Sequence, residues 1–273
     1  MYETFYGFEE PPFSLTPNSQ NIFPSLHHQA ALQTLLYGIE RRVGFMLLSG
    51  EVGSGKTTVI RSLLAQLDGK AETSYVINPL LSTLDLLRTI NRDLGNRGST
   101  TDSVQKQIEI LNKYLLKINE DGRTVVVVID EAQNLSFEAF EMTRMLSNLE
   151  TDIQKLINII FVGQPELEDV LKQRNLRQLA QRIQVHARLR PLTYDQTLQY
   201  IDYRIKHSGK NVGVKFEPRA VKRIYKRSKG IPRIINAICD MSLLAAFSQS
   251  KFVIDRKIIR QAMKEVPDYV YHS

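Results

Sequence analysis

"GEVGSGKT", Gly50 to Thr57, is the stretch that decides the fold. It fits G-x-x-x-x-G-K-[ST] at every fixed position. Its flanks fit as well. "FMLLSG" reads as a short apolar strand ending in a turn, and "TTVIRSLLAQL" carries apolar residues at helical spacing. A strand that breaks into a glycine loop and then opens a helix is built to hold phosphate. Glycines let backbone N–H groups turn inward around the oxygens, and the helix N-terminus adds its dipole. The reading assigns Gly50, Glu51, Val52, Gly53, Ser54, Gly55, Lys56, Thr57 and Thr58 to the phosphates of ATP. Lys56 is expected to reach the β- and γ-phosphates and Thr57 to hold Mg²⁺.

Outward from the loop, apolar strands alternate with helices. "TSYVINP", "RTVVVVIDEA" and "INIIFVGQ" read as further strands, and a fifth is expected after "LAQRI". Between them lie the helical patterns "STLDLLRTINRDLG", "SVQKQIEILNKYLLKINED" and "SFEAFEMTRMLSNLE", the last with Ser136 at its cap. A helix is also expected at 26–41. Continuous apolar strands alternating with helices predict a parallel sheet covered on both faces. After Pro191 the strand signals stop, and four amphipathic segments predict a helical bundle. The expected division is therefore 1–190, an α/β nucleotide domain with an N-terminal extension, and 191–273, a small helical domain.

The length of 273 residues gives ample core, and 42% hydrophobic with 24% charged content is that of a globular protein. No run of 18 apolar residues encodes a membrane span. "MYETFYGFEEPPFSL" lacks the basic and apolar regions of a secretory signal. The single cysteine, Cys239, excludes an internal disulfide framework. These features lead to an expectation of a cytoplasmic protein. Charge is uneven: residues from Pro191 onward hold 16 Lys and Arg against 7 Asp and Glu, and the first 190 hold 20 against 22. The basic C-terminal part, with "RAVKRIYKRSKG", suits duplex DNA or an acidic partner, although a solvated helix face has the same composition.

Three further features carry chemistry. "VVVVIDE" places Asp130 and Glu131 at the C-terminal tip of a buried strand, the edge where ligands bind in open α/β sheets. Asp130 is expected to bind Mg²⁺ and Glu131 to orient or deprotonate water. "FVGQPEL" ends a buried strand in Gly163, Gln164 and Pro165. If that strand lies beside those bearing the loop and the acids, Gln164 emerges next to the γ-phosphate. Arg182 in "LAQRI" and Arg233 in "GIPRIIN" are planar, permanently charged groups suited to phosphoryl charge, and equally suited to structural ion pairs.

Together these phrases resemble an AAA+ ATPase, an α/β P-loop domain plus a helical lid. "FYGFEEPPFSLTPN", "VIDEAQNL", "FVGQPEL", "LAQRI" and "GIPRIINAICDMSLLAA" are similar to the general secretion pathway protein A, or ExeA, family. The resemblance covers 1 to about 266. It implies a sensor role for Gln164 and a second sensor role for Arg233. It implies an arginine finger at Arg182, with Arg177 as competitor, reaching a neighbouring subunit's site. The expected state is then a homo-oligomeric ring or filament. Phe23 and His28 are candidates for the adenine pocket. Secretion-type members often continue into a membrane span and a peptidoglycan-binding region. This sequence therefore reads either as part of such a protein or as a shorter member of the pilus-biogenesis or polysaccharide-export kind.

Two functions follow from the resemblance. One is an ATPase that assembles or regulates an envelope apparatus through a protein partner, placing it at the inner membrane only through that partner. The other is a DNA-dependent ATPase that regulates transposition by assembling on duplex DNA. A nucleotide-gated scaffold with little turnover is a third reading. The presence of Lys56, Asp130 and Glu131 together speaks against it.

Overall fold

The structure, a computed structural model, describes residues 1–14, 23, 25–77, 80–96, 102–210 and 212–267. In chain order the described residues begin with a short helix, α1 (Tyr2–Tyr6), then α2 (Leu26–Glu40), β1 (Phe45–Gly50) and α3 (Lys56–Leu67). β2 (Ala71–Val76), α4 (Thr83–Asp93), α5 (Val104–Glu120), β3 (Thr124–Ile129) and α6 (Phe137–Leu146) follow. Next come β4 (Ile157–Gly163), α7 (Glu166–Leu171), α8 (Arg177–Ala180) and β5 (Ile183–Leu189). The C-terminal part holds α9 (Tyr194–Lys206), β6 (Lys215–Phe216), α10 (Pro218–Ser228), α11 (Pro232–Phe247), β7 (Val253–Ile254) and α12 (Arg256–Glu265).

The chain divides into two compact units. One is His27–Gly50 with Val59–Leu189; the other is Met1–Leu26, Glu51–Thr58 and Arg190–Ser273. In the first, five parallel strands run in the order β2-β3-β4-β1-β5. Every residue of β1 and β4 is buried, because a parallel sheet has helices on both faces. Alternate residues serve opposite cores. Phe45, Leu47, Val125, Val127, Ile159 and Phe161 pack with α4, α5 and α6 on one face. Met46, Leu48, Val126, Val128, Ile160 and Val162 pack with α2 and α3 on the other. This is the three-layer α/β/α architecture expected from the strand pattern.

Asn158 interrupts the apolar run of β4, and the structure explains why it is tolerated. Its side chain is fully buried, accepts from Gly44 N and donates to Thr124 Oγ1, so neither amide end is left without a partner. Helix starts follow local chemistry: Ser82, Ser103 and Ser136 each cap the helix after them through Oγ. β2 begins two residues before the expected "TSYVINP" and ends at Val76, while 78 and 79 lie outside the described residues.

In the second unit the aromatic N-terminal segment joins the C-terminal helices. Tyr2, Tyr6, Phe8 and Phe13 are buried in one apolar cluster with Ile224, Ile235, Ile238 and Leu243. Tyr6 donates from its hydroxyl to Lys251 O at 2.9 Å. Among the described residues the C-terminal part is helical apart from one addition: β6 and β7 form a two-residue parallel pair. These strands are too short to show a period, which is why no strand signal is legible there.

Candidate functional site

The phosphate loop begins where β1 ends. Gly53 and Gly55 have φ of +75° and +102°, the left-handed region that side chains avoid. Gly53 meets a further demand. A Cβ there would stand 2.4 Å from Arg233 Cβ, and Arg233 N–H donates to Gly53 O at 3.3 Å. Arg233 is the second residue of α11, after the N-cap Ile231 and Pro232, so the helix start and the loop are joined through backbone. Lys56 is buried, and its Nζ donates to Glu51 O at 3.2 Å, folding the side chain back over its own loop.

At the C-terminal edge of the sheet, β4 lies between β3 and β1. The condition set for Gln164 is therefore met within this sheet: its strand is flanked by the strand that ends in the acids and the strand that runs into the loop. Asp130 is buried and held on both oxygens. Tyr75 Oη donates to Oδ2 at 2.7 Å, and Glu131 N–H donates to Oδ1 at 2.9 Å. Burial, and after it the Asp130 carboxylate, push the Tyr75 hydroxyl well above its usual pKa, so the phenol stays a donor.

Glu131 has φ of +50°, a conformation that costs a non-glycine residue about 1 kcal/mol. Its carboxylate is held by two amides. Gln133 Nε2 donates to Oε2 at 2.6 Å and Gln164 Nε2 donates to the same oxygen at 3.2 Å. Gln133 Oε1 in turn accepts from Gln164 N at 3.3 Å. This bridging requires room at Gly163, where a Cβ would lie 2.6 Å from Gln133 Oε1. Gln133 was not among the expected site residues. Its only sequence signal is its position three residues after Asp130, in the turn of the strand tip.

Behind the tips lies a polar cluster that the sequence did not announce. Ser49, the residue before Gly50, donates to Glu168 Oε1 at 2.7 Å and meets His186 Nε2 at 2.8 Å. Arg188 pairs with both oxygens of Glu168, at 2.9 and 3.0 Å. Burial lowers the His186 pKa, and Glu168 opposes that shift. The cluster ties the ends of β1 and β5 to α7, which follows directly from Gln164 and Pro165.

Arg182 stands between α8 and β5. Its Nη1 donates to Ser147 Oγ at 3.0 Å and Asn148 Oδ1 at 2.7 Å, at the C-terminal end of α6. Arg177 is exposed at the start of α8. Phe23 packs edge-on against Tyr200 and Tyr203 of α9, and His28 lies in the first turn of α2. Among the described residues no helix is long and apolar enough to cross a membrane.

A family model described as an AAA domain matches residues 39–171, which span β1 to α7. The fold also superposes on solved structures at low sequence identity. Cdc6p from Pyrobaculum aerophilum gives a TM-score of 0.72 at 20% identity, covering 96% of this chain and 72% of that one. The Aeropyrum pernix ORC2 protein, in ADPNP–ADP complexes, gives 0.69 at 17% identity, covering 95% and 72%. The chain thus carries an AAA domain and has the α/β P-loop fold of these AAA+ structures. Along nearly its whole length it is similar to general secretion pathway protein A. General secretion pathway protein A of Aeromonas hydrophila is 41% identical over 266 residues, 97% of this chain and 48% of its own length. The chain thus spans about half of that relative.

Proposed function

We propose that this chain is a Mg²⁺-dependent ATPase that self-assembles and serves an envelope apparatus for secretion, pilus assembly or polysaccharide export. The observation that carries the ATPase reading is the sheet edge, where β3 delivers Asp130 and Glu131, β4 delivers Gln164, and β1 runs on into the phosphate loop. Lys56 and the loop N–H groups would hold the phosphates. The Thr57 hydroxyl and the Asp130 carboxylate are hard oxygen donors of the kind Mg²⁺ takes, so the residues suit the metal. Bound there, Mg²⁺ would neutralise charge developing on the β- and γ-oxygens.

Glu131 is the general base of this reading. Both amides approach Oε2, which fixes the carboxylate and leaves Oε1 to accept a proton from water. Gln164 is the sensor on that same carboxylate. Arg233, bonded to the phosphate loop through its backbone, reports the γ-phosphate to the helices that follow. Arg182, or its competitor Arg177, serves a neighbouring subunit's site as an arginine finger. In domain terms 1–190 binds nucleotide and 191–273 acts as the lid. The protein works in the cytoplasm and reaches the inner membrane through its partner.

The similarity to general secretion pathway protein A supports the envelope role. A second reading, assembly on duplex DNA, is favoured by one observation: Arg219, Lys222, Lys226 and Arg227 of α10 and Lys257, Arg260 and Lys264 of α12 are all exposed. A related fold, the Aeropyrum pernix ORC1 protein, was solved in complex with DNA. Steady-state ATPase activity with and without duplex DNA, at low and moderate salt, separates the two. Activity that rises with protein concentration and ignores DNA supports the envelope reading. Strong stimulation that fades with salt replaces it with the DNA reading.

A further inference from the structure

We propose that Tyr75 is a positioning residue for the Asp130 carboxylate, setting the orientation in which that carboxylate serves a divalent cation. The proposal rests on the reading of Asp130 as the metal-holding acid. β2 grips Asp130 twice. Val76 O accepts from Asp130 N–H at 2.9 Å, and Tyr75 Oη donates to Oδ2 at 2.7 Å. The parallel register sets Tyr75 opposite Val128 and Val76 opposite Ile129, so Asp130 is the next residue past the paired ladder. Past the end of its own ladder, Asp130 is thus held by β2.

The third restraint is Glu131 N–H on Oδ1. With a donor on each oxygen, the carboxylate plane is fixed. The Tyr75 ring is itself held, packed against the apolar cluster that includes Val126, Val128 and Val162. A phenol anchored in a core and aimed at an acid is an outer-layer support of the kind that orients metal ligands. Removing such a support costs about tenfold or more in metal affinity.

Tyr75→Phe deletes one oxygen and keeps the ring. The test titrates MgCl₂ into the full chain with a fluorescent ADP analogue and follows nucleotide binding, with Asp130→Asn alongside. Thermal unfolding of each variant is measured separately. Expected for Tyr75→Phe is a half-saturating Mg²⁺ concentration raised about tenfold, with nucleotide affinity in EDTA within twofold of the parent. A Tyr75→Phe curve that overlays the parent while Asp130→Asn shifts overturns the role of Tyr75 and leaves that of Asp130. If neither variant shifts, the Asp130 reading falls, and this proposal falls with it. A Tyr75→Phe loss of affinity equal in EDTA and in Mg²⁺ overturns positioning in favour of general damage to the fold.

Discussion

The Gln164 amide meets the Glu131 carboxylate across two adjacent strand tips, Nε2 to Oε2 at 3.2 Å. One group comes from β4 and the other from the end of β3, 33 residues apart in sequence. The contact makes the base and the sensor one unit. Glu131→Gln should keep nucleotide binding and lower turnover by about 10²- to 10⁴-fold, the range of a general base. Nucleotide affinity and steady-state rates measured on the same preparation check this. Unchanged hydrolysis would remove Glu131 from the mechanism.

Gln133 shares the same carboxylate oxygen at 2.6 Å. A hydrogen bond to a charged group contributes about 1.5 kcal/mol, which corresponds to about tenfold in rate. Gln133→Ala should therefore lower kcat by about that factor and leave KM unchanged. Gln133→Glu keeps the shape but sets a second acceptor against Glu131, so its loss should exceed that of the alanine variant. Equal kcat in all three proteins would show that Glu131 needs no such support.

Gly53 and Arg233 test the link between the loop and α11. Gly53→Ala meets both a left-handed φ of +75° and an Arg233 Cβ at 2.4 Å. The backbone cost alone is about 1 kcal/mol, and the contact forces α11 or the loop to shift. Nucleotide affinity should fall about tenfold or more, read by titration of a fluorescent nucleotide. Lys56→Ala should weaken binding as well, through lost charge and with the loop geometry kept.

Arg182 is held against the end of α6 in its own chain. As an arginine finger it would complete a neighbour's site, so Arg182→Ala alone should be inactive although it binds nucleotide. Mixing Arg182→Ala with Glu131→Gln subunits should restore part of the activity, because some boundaries then combine an intact base with an intact arginine. Absence of rescue at every mixing ratio would return Arg182 to a structural role.

Asp240 gives a prediction in pH. Burial raises its pKa, and the hydrogen bond from Tyr2 Oη only partly opposes this. A carboxyl whose folded pKa is raised favours folding when protonated. That stability is complete below the unfolded value near 3.8 and is lost as pH rises through the folded value. Asp240→Asn imitates the protonated form and can still accept from Tyr2. It should unfold about 2–3 °C higher than the parent near pH 7, and the gap should close towards pH 4. A gap that persists at pH 4 would assign the effect to packing.

Much of the site is written in short stretches. The loop from Gly50 to Thr58 and the acids Asp130 and Glu131 each sit in a window of fewer than ten residues, where spacing and chemistry can be read together. Gln164 was legible as a polar group at a buried strand's tip, but its neighbours were not. Gln133 is marked only by its place three residues after Asp130, and Tyr75 carries no local signal: a glutamine in a turn and a tyrosine in a strand have many uses, and only their partners give them one.

By itself the sequence determined the alternation of strands and helices, the two-sided burial of the sheet, the phosphate loop and the acidic strand tip. Those features arise from periodicity and from steric rules that act within a few residues. The tertiary structure decided the strand order β2-β3-β4-β1-β5, which sets β4 between the acids and the loop-bearing strand. It decided that Tyr75 grips Asp130 from 55 residues away, and that Tyr2, Tyr6, Phe8 and Phe13 bury themselves among C-terminal helices more than 200 residues distant. Such pairings are chosen by which apolar surfaces and polar groups satisfy one another after the chain has closed long loops, and no local window of sequence contains both partners.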